Sequence, residues 1–149
     1  MLWEIGRRIS VTHDWKTCFL LAHKIADVKL KWFQLRILHR CICTNVILKE
    51  IGVVESDVCN LCHLSKDSID HMFWKCLHAQ YFWDKLVKWI KEKCANTSHI
   101  RLTESLALLG HDEKKIIDDA FYFILLFAKY HIFTCKLEKK ASRYIVIWK

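Results

Sequence analysis

Cys59, Cys62, His71 and Cys76 are spaced C-x2-C-x8-H-x4-C in the stretch CNLCHLSKDSIDHMFWKC. Two soft ligands two residues apart, then a second pair across a short loop, is the pattern with which a chain grips one zinc ion tetrahedrally. The pattern constrains the fold because a structural metal can replace core packing, and residues 55–70 carry few apolar side chains. Three thiolates and one imidazole leave no corner for water. Metal binding then becomes folding energy, roughly 10–16 kcal/mol in finger peptides. The other common use of cysteine, a disulfide framework, needs an oxidising compartment. The stretch MLWEIGRRISVTHDWKTCFLLAHK has its arginines after apolar residues and no small-residue cleavage site, so no secretory leader is legible. Reduced thiols in an intracellular setting, nucleus or cytoplasm, are expected. His63 and His78 compete with His71 for the fourth position; His63 abuts Cys62, which strains joint ligation, and His78 lies two residues past Cys76. Cys18, Cys41, Cys43, Cys94 and Cys135 fall mostly on apolar stripes and are expected in the core.

The remainder reads as helix. Proline is absent and the three glycines are Gly6, Gly52 and Gly110, so breakers and turn residues are scarce. A chain of 149 residues can bury about 68–70% of its unfolded surface, enough for a true core. Residues 1–26 give a mixed pattern and no clear element. From Asp27, DVKLKWFQLRILHRCIC has Leu30, Leu35, Ile37, Leu38 and Cys41 on one apolar arc, with Lys29, Arg36 and Arg40 opposite and Trp32 and Phe33 flanking them. TNVILKEIG is a short helix capped by Thr44 or Asn45 and ended by Gly52. In the metal segment Asp67 is a candidate N-cap, with His71 in the turn that follows and Asp70 where a negative charge suits the helix dipole. Residues 77–94 form an amphipathic helix, burying Ala79, Phe82, Trp83, Leu86, Val87, Ile90 and Cys94 and exposing Tyr81, Lys85, Lys88 and Trp89. After a polar link, Asn96 to Arg101, a short helix runs from Thr103 to Gly110, and a long one from near Asp112 past Lys136. Its apolar run AFYFILLFA, closed by Lys129, is too short to span a bilayer and is expected to be buried. The predicted class is mostly α, a helical domain with a small CCHC zinc-binding loop or knuckle. The segments are 1–26, 27–94 with the metal site, and 95–149 with a basic tail.

A formal net charge of +8 favours a polyanionic partner. One candidate surface is Lys29, Arg36 and Arg40 beside Trp32, where cations neutralise phosphates and an exposed ring stacks on an unpaired base. A second is Tyr81, Lys85, Lys88 and Trp89. Lys136, Lys139, Lys140 and Arg143 are candidates for nonspecific phosphate contact. A zinc hydrolase would need a vacant coordination corner and a nearby general base, and neither is visible.

The stretch from Lys31 to Ile90 resembles the zinc-binding region at the C-terminal end of reverse transcriptases from non-LTR (LINE-type) retrotransposons. The likeness rests on an ordered set: LKWFQLRILHR, then T-N-x-x-L running into I-G, then C-x2-C, H-x-F-W-x-C and F-W-D. A later L-L-G and LLFAKYHIFTC extend it to about residues 27–140. The resemblance implies a region downstream of the polymerase, held by zinc on Cys59, Cys62, His71 and Cys76, that contacts nucleic acid. The family's polymerase and endonuclease are not legible in these residues. Asp118 and Asp119 in KKIIDDAFYF lack the hairpin setting and third carboxylate of a two-metal polymerase and read as a solvated helix face. The expected function is therefore a non-catalytic zinc-binding domain, a fragment or remnant of such a protein, that binds RNA or RNA–DNA. Membrane and small-molecule partners are not expected. The alternative is a zinc-shaped protein-interaction module that docks on a polymerase portion.

Overall fold

The computed structural model describes residues 14–94, 101–111 and 118–139. The elements are α1 (Trp15–His23), α2 (Val28–Leu38), α3 (Asn45–Glu50), a π-turn (His71–Lys75), α4 (Leu77–Lys93), α5 (Glu104–Leu109) and α6 (Asp119–Leu137). The only β feature among the described residues is an isolated antiparallel bridge between Val58 and Lys66. The chain is mostly helical, as the scarcity of breakers implies.

Five helices start by one device. Asp14, Asp27, Thr44, Thr103 and Asp118 each accept the backbone N–H three residues on, which satisfies a donor the helix cannot. The Asp14 cap starts a helix in a stretch whose sequence pattern showed none; α1 is short, buries only Cys18 and Ala22, and packs on α2. The Asp118 cap corrects the start of α6. Extended backbone at Asp118 prevents a continuous helix from Asp112. The polar link at 96–100 and the tail beyond Lys139 lie outside the described residues.

The C-terminal ends are equally specific. Gly52 (φ 77°) follows α3, its N–H bonding Lys49 O while Val53 N–H reaches Leu48 O, the doubled closure of a left-handed helix end. Arg40 (φ 54°) does the same after α2, with Arg40 N–H on Ile37 O and Cys41 N–H on Arg36 O. Helix α2 therefore stops at Leu38, and Arg40 leaves the stripe that its sequence spacing suggested.

The core is continuous from α1 to α6. Phe33 lies at its centre, edge-on to Phe73 of the π-turn (6.1 Å) and Tyr130 of α6 (5.2 Å), so it does not flank the basic side of α2 as expected. Helix α6 packs on α2, α5 and the π-turn. By length and composition α6 is long and apolar enough to cross a membrane, but half of that apolar stretch is buried within the chain. Its Lys129 is buried too, donating to Gln34 Oε1 (2.5 Å) and Leu108 O (2.9 Å); burial pushes this amine down to about 7.

Gly110 ends α5 at φ 71°, and a Cβ there would overlap the ring of buried Tyr122. Gly52 has a similar φ and open space around it. Gly110→Ala combines backbone strain with overpacking and is expected to cost about 2–4 kcal/mol, whereas Gly52→Ala costs only about 1 kcal/mol. Denaturant midpoints of the two variants check this ordering; equal losses would contradict it.

Candidate metal centre

The turn that carries Cys59 and Cys62 is closed by the Val58–Lys66 bridge, with Cys59 N–H on Ser65 O (2.9 Å). Asp57 steadies the base of this hairpin through Lys49 (3.5 Å) and Lys66 (3.3 Å). His63 N–H returns to Cys59 O, and Leu64 N–H points at the Cys62 sulfur (3.5 Å), which suits a thiolate. His63 is exposed at φ 56° and is not one of the clustered donors.

His71 and Cys76 come from the π-turn. Five residues apart, they would sit about 140° apart around an α-helix at 3.6 residues per turn. The wider turn, closed by Cys76 N–H on His71 O (2.8 Å), brings them to one side. Ser68, not Asp67, caps the turn, its hydroxyl accepting His71 N–H (3.2 Å). The indole of Trp83 donates to Phe73 O (2.6 Å), bonding a carbonyl within the π-turn from α4. Cys76 then switches to extended backbone, where α4 begins.

The ligand atoms of Cys59, Cys62, His71 and Cys76 all lie within 4.8 Å of one another. A tetrahedral zinc with Zn–S near 2.3 Å separates its sulfurs by about 3.8 Å, so the cluster has the right size. His71 presents Nε2 to the Cys62 sulfur at 3.3 Å, which makes Nε2 the ligand nitrogen. A hydrogen bond shared with Cys76 pulls the Cys59 thiol down to about 3 and pushes the Cys76 thiol up. Amides of Leu61 and Cys62 also favour the Cys59 thiolate, and those of His78 and Ala79 favour the Cys76 thiolate. Proximity, soft donors and thiolate-favouring amides fit zinc, with all four positions filled by the chain.

Asp67 is fully buried behind this cluster. It accepts Asn45 N–H (2.7 Å) at the start of α3 and pairs with buried Lys136 of α6. Asn45 in turn donates to Val58 O (2.7 Å) and Asn60 Oδ1 (3.1 Å), tying α3 to the first ligand turn. Burial lowers the Lys136 amine to about 8 against the attraction of Cys59 and Cys62. Lys136 is thus an internal ion-pair partner, which corrects its reading as a surface phosphate contact. Arg40 reaches Asp70 (3.5 Å), the neighbour of His71.

The structure separates the remaining candidates. Lys29, Trp32 and Arg36 are exposed on α2, Trp32 at 59%, with Arg36 Nε bonded to Trp32 O (3.3 Å). Lys85 and Lys88 are exposed on α4; Lys85 lies over Tyr81 at 5.3 Å, and Trp89 is half-buried. Lys139 is exposed, and Lys140 and Arg143 lie outside the described residues. Cys18 and Cys135 are buried as expected, but Cys41, Cys43 and Cys94 are exposed because α2 and α4 end before them.

A family model described as zinc-binding in reverse transcriptase matches residues 1–83, more than half of the chain, and includes all four ligand positions. The chain belongs to this family of zinc-binding domains of reverse transcriptase. The matched family is the zinc-binding part of such enzymes and not a catalytic domain. No curated protein and no solved structure gives a significant match. The match ends inside α4, so α5 and α6 lie beyond it.

Proposed function

We propose that this chain is a non-catalytic module of a non-LTR, LINE-type reverse transcriptase, a fragment or remnant of the longer protein, that binds RNA, with RNA–DNA as second choice. The observation that carries this reading is the exposed Trp32, set one helical turn from Lys29 and Arg36 on α2. Two cations and a ring on one face match a phosphate chain with unstacked bases. The filled coordination set supports a structural rather than a hydrolytic metal. A cluster of three cysteine thiols poised as metal ligands suits a reducing compartment, and the module works inside the cell, in nucleus or cytoplasm.

The test is the salt dependence of single-stranded RNA binding by zinc-loaded protein. Arg36→Ala is the clean variant, because Arg40 is engaged with Asp70. Arg36→Ala is expected to flatten the slope of log affinity against log salt by about 0.7, one phosphate contact on a single strand. Absence of binding at low salt would sink the reading. A second reading is favoured by Val28 and Trp32, exposed apolar residues four apart on α2, which would dock on a polymerase portion of a parent protein. Binding of that portion without RNA affinity would select it.

A further inference from the structure

Residues that the sequence assigns to two separate surfaces meet at one cleft. Phe82 and Trp89 of α4 and Ile124, Phe127, Tyr130 and His131 of α6 line a cavity of about 380 Å³. The size falls within the range of small-ligand sites. Phe127 is 55% exposed at this opening, and Trp89 and Tyr130 are half-buried. Lys29 crosses from α2 to lie over the Tyr130 ring at 5.2 Å. On the other side Lys85 is exposed one turn before Trp89, on the same arc of α4 as Glu92. Lys91 and Lys93 follow at the exposed end of α4.

We propose that this cleft is a stacking site for an unpaired nucleobase of a single strand, with Lys29 and Lys85 taking the flanking phosphates. The inference rests on the nucleic-acid reading above and deepens it. The lining suits a flat π-faced group: Trp89 stands on the α4 wall and Phe127 and Tyr130 on the α6 wall, each with part of its surface accessible. The charge complementarity comes from Lys29 over the Tyr130 ring and from Lys85, exposed on α4 one turn from Trp89, beside a lining that is mostly apolar. A base enters apolar surface as its phosphates meet lysine, and no base-specific donor set is required. The site therefore reads single-strandedness and not sequence.

The probe is a short single-stranded RNA set against a strand of the same length lacking bases, both titrated into the zinc-loaded full chain. The wild-type protein is expected to prefer the intact strand by roughly tenfold or more. Phe127→Ala, at an exposed position, and Trp89→Ala should each reduce that preference several-fold, leaving the share that Trp32 supplies, while affinity for the abasic strand stays unchanged. Lys85→Ala should weaken both strands alike. Equal binding of the two strands by the wild type, or an intact preference in Phe127→Ala, would overturn the cleft assignment while leaving RNA binding standing. Failure to bind either strand at low salt would instead remove the nucleic-acid reading itself. A Phe127→Ala effect confined to capture of a polymerase domain, with both strands bound alike, would reassign the cleft to a protein partner.

Discussion

Removing the metal, by chelation or by Cys59→Ser, is expected to unfold residues 44–68 while much of the helix content of α2, α4 and α6 survives. Between Ile42 and Ile69 the only buried apolar side chain is Cys59, itself a ligand. That stretch is closed by the bridge at Val58, a few polar bonds from Asn45 and Asp67, and the four ligands. A structural zinc contributes roughly 10–16 kcal/mol in finger peptides, as much as the whole stability of an ordinary domain, about 5–15 kcal/mol. No other contact in the stretch approaches that size. Far-ultraviolet circular dichroism should therefore fall only modestly, because α3 has just six residues. Hydrogen exchange over residues 45–67 should lose most of its protection.

The ligand set makes the same experiment selective. His71→Ala is expected to lower bound zinc, measured by atomic absorption, because Nε2 of His71 lies at the Cys62 sulfur. His63→Ala and His78→Ala should leave one zinc per chain. Uptake should release protons and weaken in acid, since Cys59 and Cys76 share a proton that the metal displaces. Protection at residues 45–67 that survives a chelator would overturn the assignment.

The parts of this fold that sequence reveals are those with local causes. Asp27, Thr44 and Thr103 announce α2, α3 and α5 because a cap acts three residues away, and Gly52 and Gly110 close α3 and α5 where a left-handed residue is needed. The four ligands are legible because thiol and imidazole at these spacings have few other uses. What stays hidden is set over long separations. Lys129 reads as the charged stop of an apolar run, yet its partners are Gln34 and a carbonyl at Leu108. Asp67 reads as a cap for the turn beside it, yet it serves α3 and α6. Phe33 reads as a flank of a basic face because its spacing cannot show that α6 approaches from that side. The π-turn is hidden because neither propensity nor period distinguishes it from an α-turn; its signal is the five-residue step from His71 to Cys76, which an α-helix cannot bring to one metal.

Asp67→Asn is expected to destabilise the zinc-loaded protein by about 3–5 kcal/mol, the cost of leaving one buried charge without its partner. Lys136 is nearly enclosed and Asp67 fully so, which takes the pair out of the class of exposed ion pairs worth about 0–1 kcal/mol. Lys136→Met should cost as much, because it leaves the buried Asp67 carboxylate without its cation, and among the described residues Asp67 Oδ1 has no hydrogen-bond partner. The double variant Asp67→Asn, Lys136→Met removes both charges and keeps an oxygen for Asn45 N–H, so it should recover most of the loss. Denaturant unfolding of the four proteins closes the cycle, and a coupling below about 0.5 kcal/mol would show that the pair does not interact. The location gives the result its meaning. Asp67 belongs to the residues matched by the zinc-binding family, and Lys136 lies on α6, well beyond them. The pair is a charged joint between the metal segment and the C-terminal helix. Breaking it should therefore loosen α6, visible as faster amide exchange near Lys136, while zinc stays bound to its four ligands.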